Sequence, residues 1–162
     1  MPCSGKSTTA KHIAKELMSK GENVCLVDEG TGNHPADYEF QSYISKAVLG
    51  TFSDTERNVI VKNAASKNDG YVVELAKILD ESICKNFPEL FNKLLSYKIY
   101  DFWDWKTESS LMLDKWWKFA ANADDNTIYV FNCVFLQNPM CETMMRFNFE
   151  TEKSQAYISK NS

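Results

Sequence analysis

The first ten residues, Met1-Pro2-Cys3-Ser4-Gly5-Lys6-Ser7-Thr8-Thr9-Ala10, hold the densest chemistry in the chain. Gly5-Lys6-Ser7 match the last three fixed positions of G-x-x-x-x-G-K-[ST], a Gly-rich turn that opens a helix and cradles phosphates. Polyphosphate oxygens want backbone N–H donors packed closely, and Gly permits that approach. A helix starting at Lys6 aims its unpaired N–H groups and the positive end of its dipole at the same oxygens. Lys6 would then neutralise the β and γ phosphates, and the Ser7 hydroxyl would meet Mg2+. The first Gly of the pattern falls one residue before Met1, so the spacing predicts a chain that starts inside the motif and lacks the preceding strand. The competing reading is a surface helix with a Ser cap.

The elements around this turn favour the phosphate reading. Ala10, Ile13, Ala14 and Leu17 share one face of a helix over Lys6 to Lys20, and Gly21 stops it. Val24 to Asp28 is a short apolar run ending in acid, the pattern of a buried strand leaving a sheet at its carboxyl end. A loop from Glu29 to Asp37 follows, rich in Gly, Asn and Pro. The segment from Tyr38 to Lys67 is less clear, apart from a helix over Asp54 to Ala64 capped by Ser53 or Asp54. Asp69-Gly70 signals a turn ahead of a strand over Tyr71 to Leu75. Helices are expected over Phe87 to Tyr97 and Glu108 to Asn122, a second buried strand over Thr127 to Asn132, and helices over Met140 to Phe147 and Glu150 to Ser159. Alternating helices and buried strands predict one three-layer α/β domain over residues 1–162, expected to be incomplete at its amino end and open to continuation at its carboxyl end.

Composition narrows the function classes. The 162 residues carry 22 acidic against 18 basic side chains, a net charge of −4, which argues against a general nucleic-acid binder. Ile128 to Leu136 is the longest apolar stretch, far short of the roughly 20 residues that span a bilayer. No charged leader with an apolar core begins the chain, and the five cysteines are scattered without metal-ligand spacing, so a cytoplasmic protein with reduced thiols is expected.

The segments P-C-S-G-K-S-T-T-A, L-V-D-E-G-T-G-N-H-P-A-D-Y-E and I-Y-V-F-N-C-V-F-L-Q-N-P resemble P-loop kinases of the nucleoside and nucleotide kinase group. More narrowly, they are similar to thymidylate-kinase-like bacterial P-loop proteins of unassigned substrate. The resemblance implies a parallel five-stranded sheet flanked by helices, with this chain lacking the first, central strand. It also implies MgATP (or MgGTP) binding and transfer of the γ-phosphate to a small-molecule acceptor such as a nucleoside or nucleotide. A truncated or degenerate relative that binds nucleotide or a partner without catalysis is the alternative.

Carried over by position, Ser4, Gly5, Lys6, Ser7 and Thr8 would hold the nucleotide phosphates, with Ser7 on the metal. Asp28 and Glu29 occupy the place of the general base for the acceptor hydroxyl. The second nucleotide-side strand of such kinases usually ends in Asp, often followed by Arg; here the pair is Asn132-Cys133. Asn132 can accept a hydrogen bond from a metal-bound water but brings no negative charge to Mg2+. Arg146 is the cation available to the migrating phosphoryl group, or else the partner of Glu142 or Glu150. Gln137, Asn138 and His34 could meet an acceptor, and aromatics on D-F-W-D-W could form a ligand-facing patch, while Trp116 and Trp117 share helical spacing with Leu113 and Ala120 as expected of core.

Overall fold

The computed structural model describes residues 5–30, 34–134 and 137–160. In chain order these begin with α1 (Lys6–Ser19), β1 (Val24–Val27), β2 (Gln41–Ser45), α2 (Lys46–Leu49), α3 (Asp54–Lys62), β3 (Ala64–Lys67) and β4 (Gly70–Glu74). There follow α4 (Leu75–Ile78), α5 (Glu81–Asn86), α6 (Leu90–Leu95), α7 (Ile99–Phe102) and α8 (Trp105–Asn122). The chain ends with β5 (Ile128–Phe131), α9 (Gln137–Met140), a π-helical stretch (Cys141–Arg146) and α10 (Thr151–Lys160). The fold is mixed α/β and divides into two compact units, residues 1–37 with 109–162, and residues 38–108. No described helix is long and apolar enough to cross a membrane.

The first unit is built on a parallel pair, β1 beside β5, in the register Val24↔Ile128 to Val27↔Phe131. The ladder continues past the strand end, where the Asn132 amide donates to the Val27 carbonyl at 3.1 Å. Tyr129 and Phe131, two residues apart, share one face of the pleat. There Phe119 of α8 meets both rings edge-on, at 5.0 and 5.1 Å, and Trp116 lies 5.5 Å from Phe131. Helix α1 contacts both strands and buries Ala10 and Ala14, side chains small enough to let a helix lie close to a sheet. Ile13, expected on the buried face, is 45% exposed, and Trp117, expected in the core, faces solvent as well.

The unit of residues 38–108 holds an antiparallel sheet in the order β2-β4-β3. Ile44, Phe52, Ile60, Val73, Leu75, Ile78, Leu90 and Leu94 form its core. Helix α3 starts at a capping box, in which the Ser53 hydroxyl accepts from the Glu56 amide and the Glu56 carboxylate accepts from the Ser53 amide. The Lys93 ammonium, 2.7 Å from Glu56, holds that carboxyl down at about 2 together with the Ser53 amide. The β3–β4 hairpin turns at Asn68-Asp69, one residue earlier than Asp69-Gly70 suggests, with Asn68 at φ 50° as tight hairpins require.

Gly70 is needed in this sheet because β2 comes too close for a side chain. A Cβ at this position would lie 2.5 Å from the Ile44 carbonyl oxygen and 2.9 Å from the Tyr43 ring. Gly70→Ala is therefore expected to destabilise the protein by about 1–3 kcal/mol, through overpacking against backbone that cannot retreat. Urea denaturation would check it; an unchanged midpoint would refute the argument.

Candidate functional site

Gly5 sits immediately before α1 with φ 78°, a left-handed conformation natural to glycine, and its carbonyl accepts the first helical bond from the Thr9 amide at 2.8 Å. Among the described residues no side chain caps the helix, and no acid occupies its first turn. The positive end of the helix dipole at this turn favours an anion. Lys6 and Ser7 are half-buried at this turn, Thr8 is exposed, and Ser4 lies outside the described residues.

The parallel register of β1 and β5 sets the carboxyl ends of both strands side by side, which brings Asp28 next to Asn132. The Asn132 amide nitrogen donates to the Asp28 carboxylate and to the Ser7 hydroxyl oxygen, each at 2.8 Å. Its amide oxygen accepts from the Cys133 thiol at 3.2 Å. Asn132 is 2% exposed, so this amide is a buried hub with all its edges in use. Lys11, one turn along α1, adds an ion pair to the other Asp28 oxygen at 3.3 Å. The Asn132 hydrogen bond, then Lys11, hold the Asp28 carboxyl below the usual carboxylate range.

Glu29 is exposed next to this hub, its amide donating to Asp28 at 3.1 Å. Its side chain and that of Lys6 both act on the Cys133 thiol. Burial foremost, then the Glu29 carboxylate, push this thiol up to about 11, while Lys6 pulls the other way. The thiol is therefore protonated at neutral pH, and its S–H is available as a donor.

Four of the expected site residues thus converge with Asn132 at one end of the parallel pair: Lys6, Ser7, Asp28 and Glu29. Arg146 is engaged elsewhere, with its guanidinium 3.0 Å from the Glu142 carboxylate and 4.7 Å over the Phe147 ring. Asn138 donates to Asp37 at 3.1 Å. Trp103 of the D-F-W-D-W stretch donates its indole N–H to the Tyr43 and Tyr97 carbonyls within the unit of residues 38–108, which is a packing role. Sequence reasoning missed Lys11 as the Asp28 partner, although its place one turn after the Gly-Lys-Ser turn on the same helix is a usable signal. An open hollow of about 570 Å3 borders Asp28, with Cys25, Phe119, Asn122 and Tyr129 among its walls.

No protein-family model, curated protein or solved structure matches the chain.

His34 is a buried titratable group of this unit, 2% exposed and 5.7 Å from the Phe131 ring. Its Nδ1 accepts from the Ala36 amide at 3.2 Å, so a neutral ring carries its proton on Nε2, which has no hydrogen-bond partner among the described residues. Burial, then the nearby Lys115, push the imidazole from its ordinary 6.5 down to about 4. The unfolded chain takes this proton near pH 6.5 and the folded chain only near 4. The stabilisation is therefore complete above 6.5 and is lost as pH falls toward 4. Urea denaturation between these two pH values should show that decline, with a shallower slope in His34→Gln. Equal slopes would contradict it.

Proposed function

We propose that the amino-terminal turn of α1 binds the polyphosphate of a nucleoside triphosphate, ATP or GTP. In this reading the unit around β1 and β5 is the nucleotide-gripping part of a three-layer P-loop phosphotransferase. The observation that carries the reading is the convergence of Gly5-Lys6-Ser7 with the carboxyl-end residues Asp28 and Asn132 of a parallel strand pair. Ligand crevices of open α/β sheets form outside the carboxyl ends of their strands. The first turn of α1 supplies amides and dipole, and Lys6 adds the charge that neutralises phosphate oxygens.

For transfer to a small-molecule hydroxyl, the acceptor would enter beside Asp28, where the open hollow gives it room. Between the two acids, Asp28 is the weaker base, because Asn132 and Lys11 already stabilise its ionised form. Glu29, exposed beside the hub, takes the acceptor proton instead. A second reading, nucleotide binding without catalysis, is favoured by two observations: β5 ends in an amide where a carboxylate is usual, and Arg146 is held by Glu142.

Calorimetry with the β,γ-imido analogue of ATP tests the binding reading. The wild-type chain is expected to bind, and Lys6→Ala to weaken binding about 10- to 100-fold, the worth of a charge-assisted phosphate contact. No measurable binding by the wild type would reject it. Transfer of labelled γ-phosphate to a nucleoside panel, lost in Glu29→Gln, separates the enzyme from the non-catalytic binder.

A further inference from the structure

The chemistry of the donor set around Ser7 does not fit a divalent cation held by the protein. Ser7 Oγ and Asp28 Oδ1 each lie 2.8 Å from a single atom of the Asn132 amide. A carboxylate oxygen can only accept, so the atom facing Asp28 must be the nitrogen. The Cys133 sulfur, 3.2 Å from the amide oxygen, is compatible with the same orientation, its S–H proton being shared with the Glu29 carboxylate. Turning the amide to offer its oxygen to a cation would set that oxygen against the Asp28 carboxylate. It would also leave the thiol facing an N–H group, and both losses would fall on a buried residue. Of the two carboxylates beside the hub, Asp28 already has Lys11 as its counter-ion, and Glu29 is turned to the Cys133 thiol.

The same geometry leaves Ser7 in an unusual role. Its oxygen accepts from Asn132, so its own O–H proton is the group turned outward, and it has no acceptor among the described residues. A hydroxyl in that state is suited to donate to a phosphate oxygen, whereas a metal ligand offers its lone pair.

We infer that the Asn132 amide takes the place of a divalent cation at this site. Its two N–H donors tie Ser7 to Asp28, the Asp28 carboxylate sets its orientation, and polyphosphate is gripped without a metal ion held by the protein. The inference rests on the reading of the α1 turn as a polyphosphate site. The positive charge at the phosphates then comes from Lys6 and the helix dipole. Asn132 and Cys133 are positioning residues here: they act on the phosphates through Ser7.

The test measures the affinity of the full chain for the β,γ-imido analogue of ATP in EDTA and in excess Mg2+. Affinities within about threefold of each other are expected, whereas a gain of about tenfold or more with Mg2+ would overturn the inference and leave the polyphosphate reading standing. Binding in neither buffer would reject the polyphosphate reading, and with it the gripping role. A second arm tests the donor set without nucleotide, by electron paramagnetic resonance of added Mn2+. The wild type is expected to hold no ordered Mn2+, and Asn132→Asp to gain a site that is lost again when Asp28→Asn is added. Ordered Mn2+ on the wild type, lost in Asp28→Asn, would overturn the inference by itself. Thermal melts of each variant confirm folding, and both wild-type measurements decide the matter if Asn132→Asp fails to fold.

Discussion

The in-register parallel pairing of β1 with β5 is the constraint on which the site depends. Two strands that run the same way end at the same level, so Asp28 and Asn132 emerge side by side. The hydrogen bond from the Asn132 amide to the Val27 carbonyl extends the ladder by one step and fixes that level. A register slip of one residue would carry both side chains to the opposite face and separate them from Ser7. The burial of Tyr129 and Phe131 against Phe119 and Trp116 resists such a slip, which ties the chemistry at the strand ends to the packing behind it.

The unit of residues 38–108 solves a different problem with different means. Its antiparallel sheet is made of weakly patterned strands, Q-S-Y-I-S and A-A-S-K among them, and it is held by a core drawn from three helices, two strands and Phe52. Two polar side chains of β2 are paired: the Ser42 hydroxyl donates to the Leu94 carbonyl at 2.7 Å, and Tyr43 donates to Asp69 at the same distance. That pairing is what allows polar residues to line a strand interior without a large desolvation cost.

Much of the architecture around β1 and β5 was legible in the residues. The apolar runs V-C-L-V and I-Y-V-F are short, β-branched or aromatic, and bounded by polar turns, and they form the two strands of the parallel pair. The helix beginning at Lys6 was readable from its stop at Gly21 and its spacing, yet its buried stripe is narrower than the apolar count implies, because only the alanines lie against the strands. β2 and β3 were not legible. Ala64 to Lys67 has little intrinsic preference for a strand and becomes one only because β4 pairs with it, a tertiary effect that no local pattern carries. In the site, the proximity of Asp28 to Ser7 followed from topology. The nitrogen-first amide of Asn132 did not, because it depends on partners 104 and 125 residues away and on a thiol next door.

The three-stranded sheet has an interior strand, β4, bonded on both flanks, whereas among the described residues β1 and β5 have only each other. Parallel residues bond to the neighbour alternately, so every second amide of β1 and β5 faces outward. Such amides open to solvent without unfolding the chain. Deuterium would therefore enter the strands behind Asp28 and Asn132 well before it reaches Val72 and Val73. Asp28 and Asn132 thus follow strands whose backbone opens more readily than that of β4.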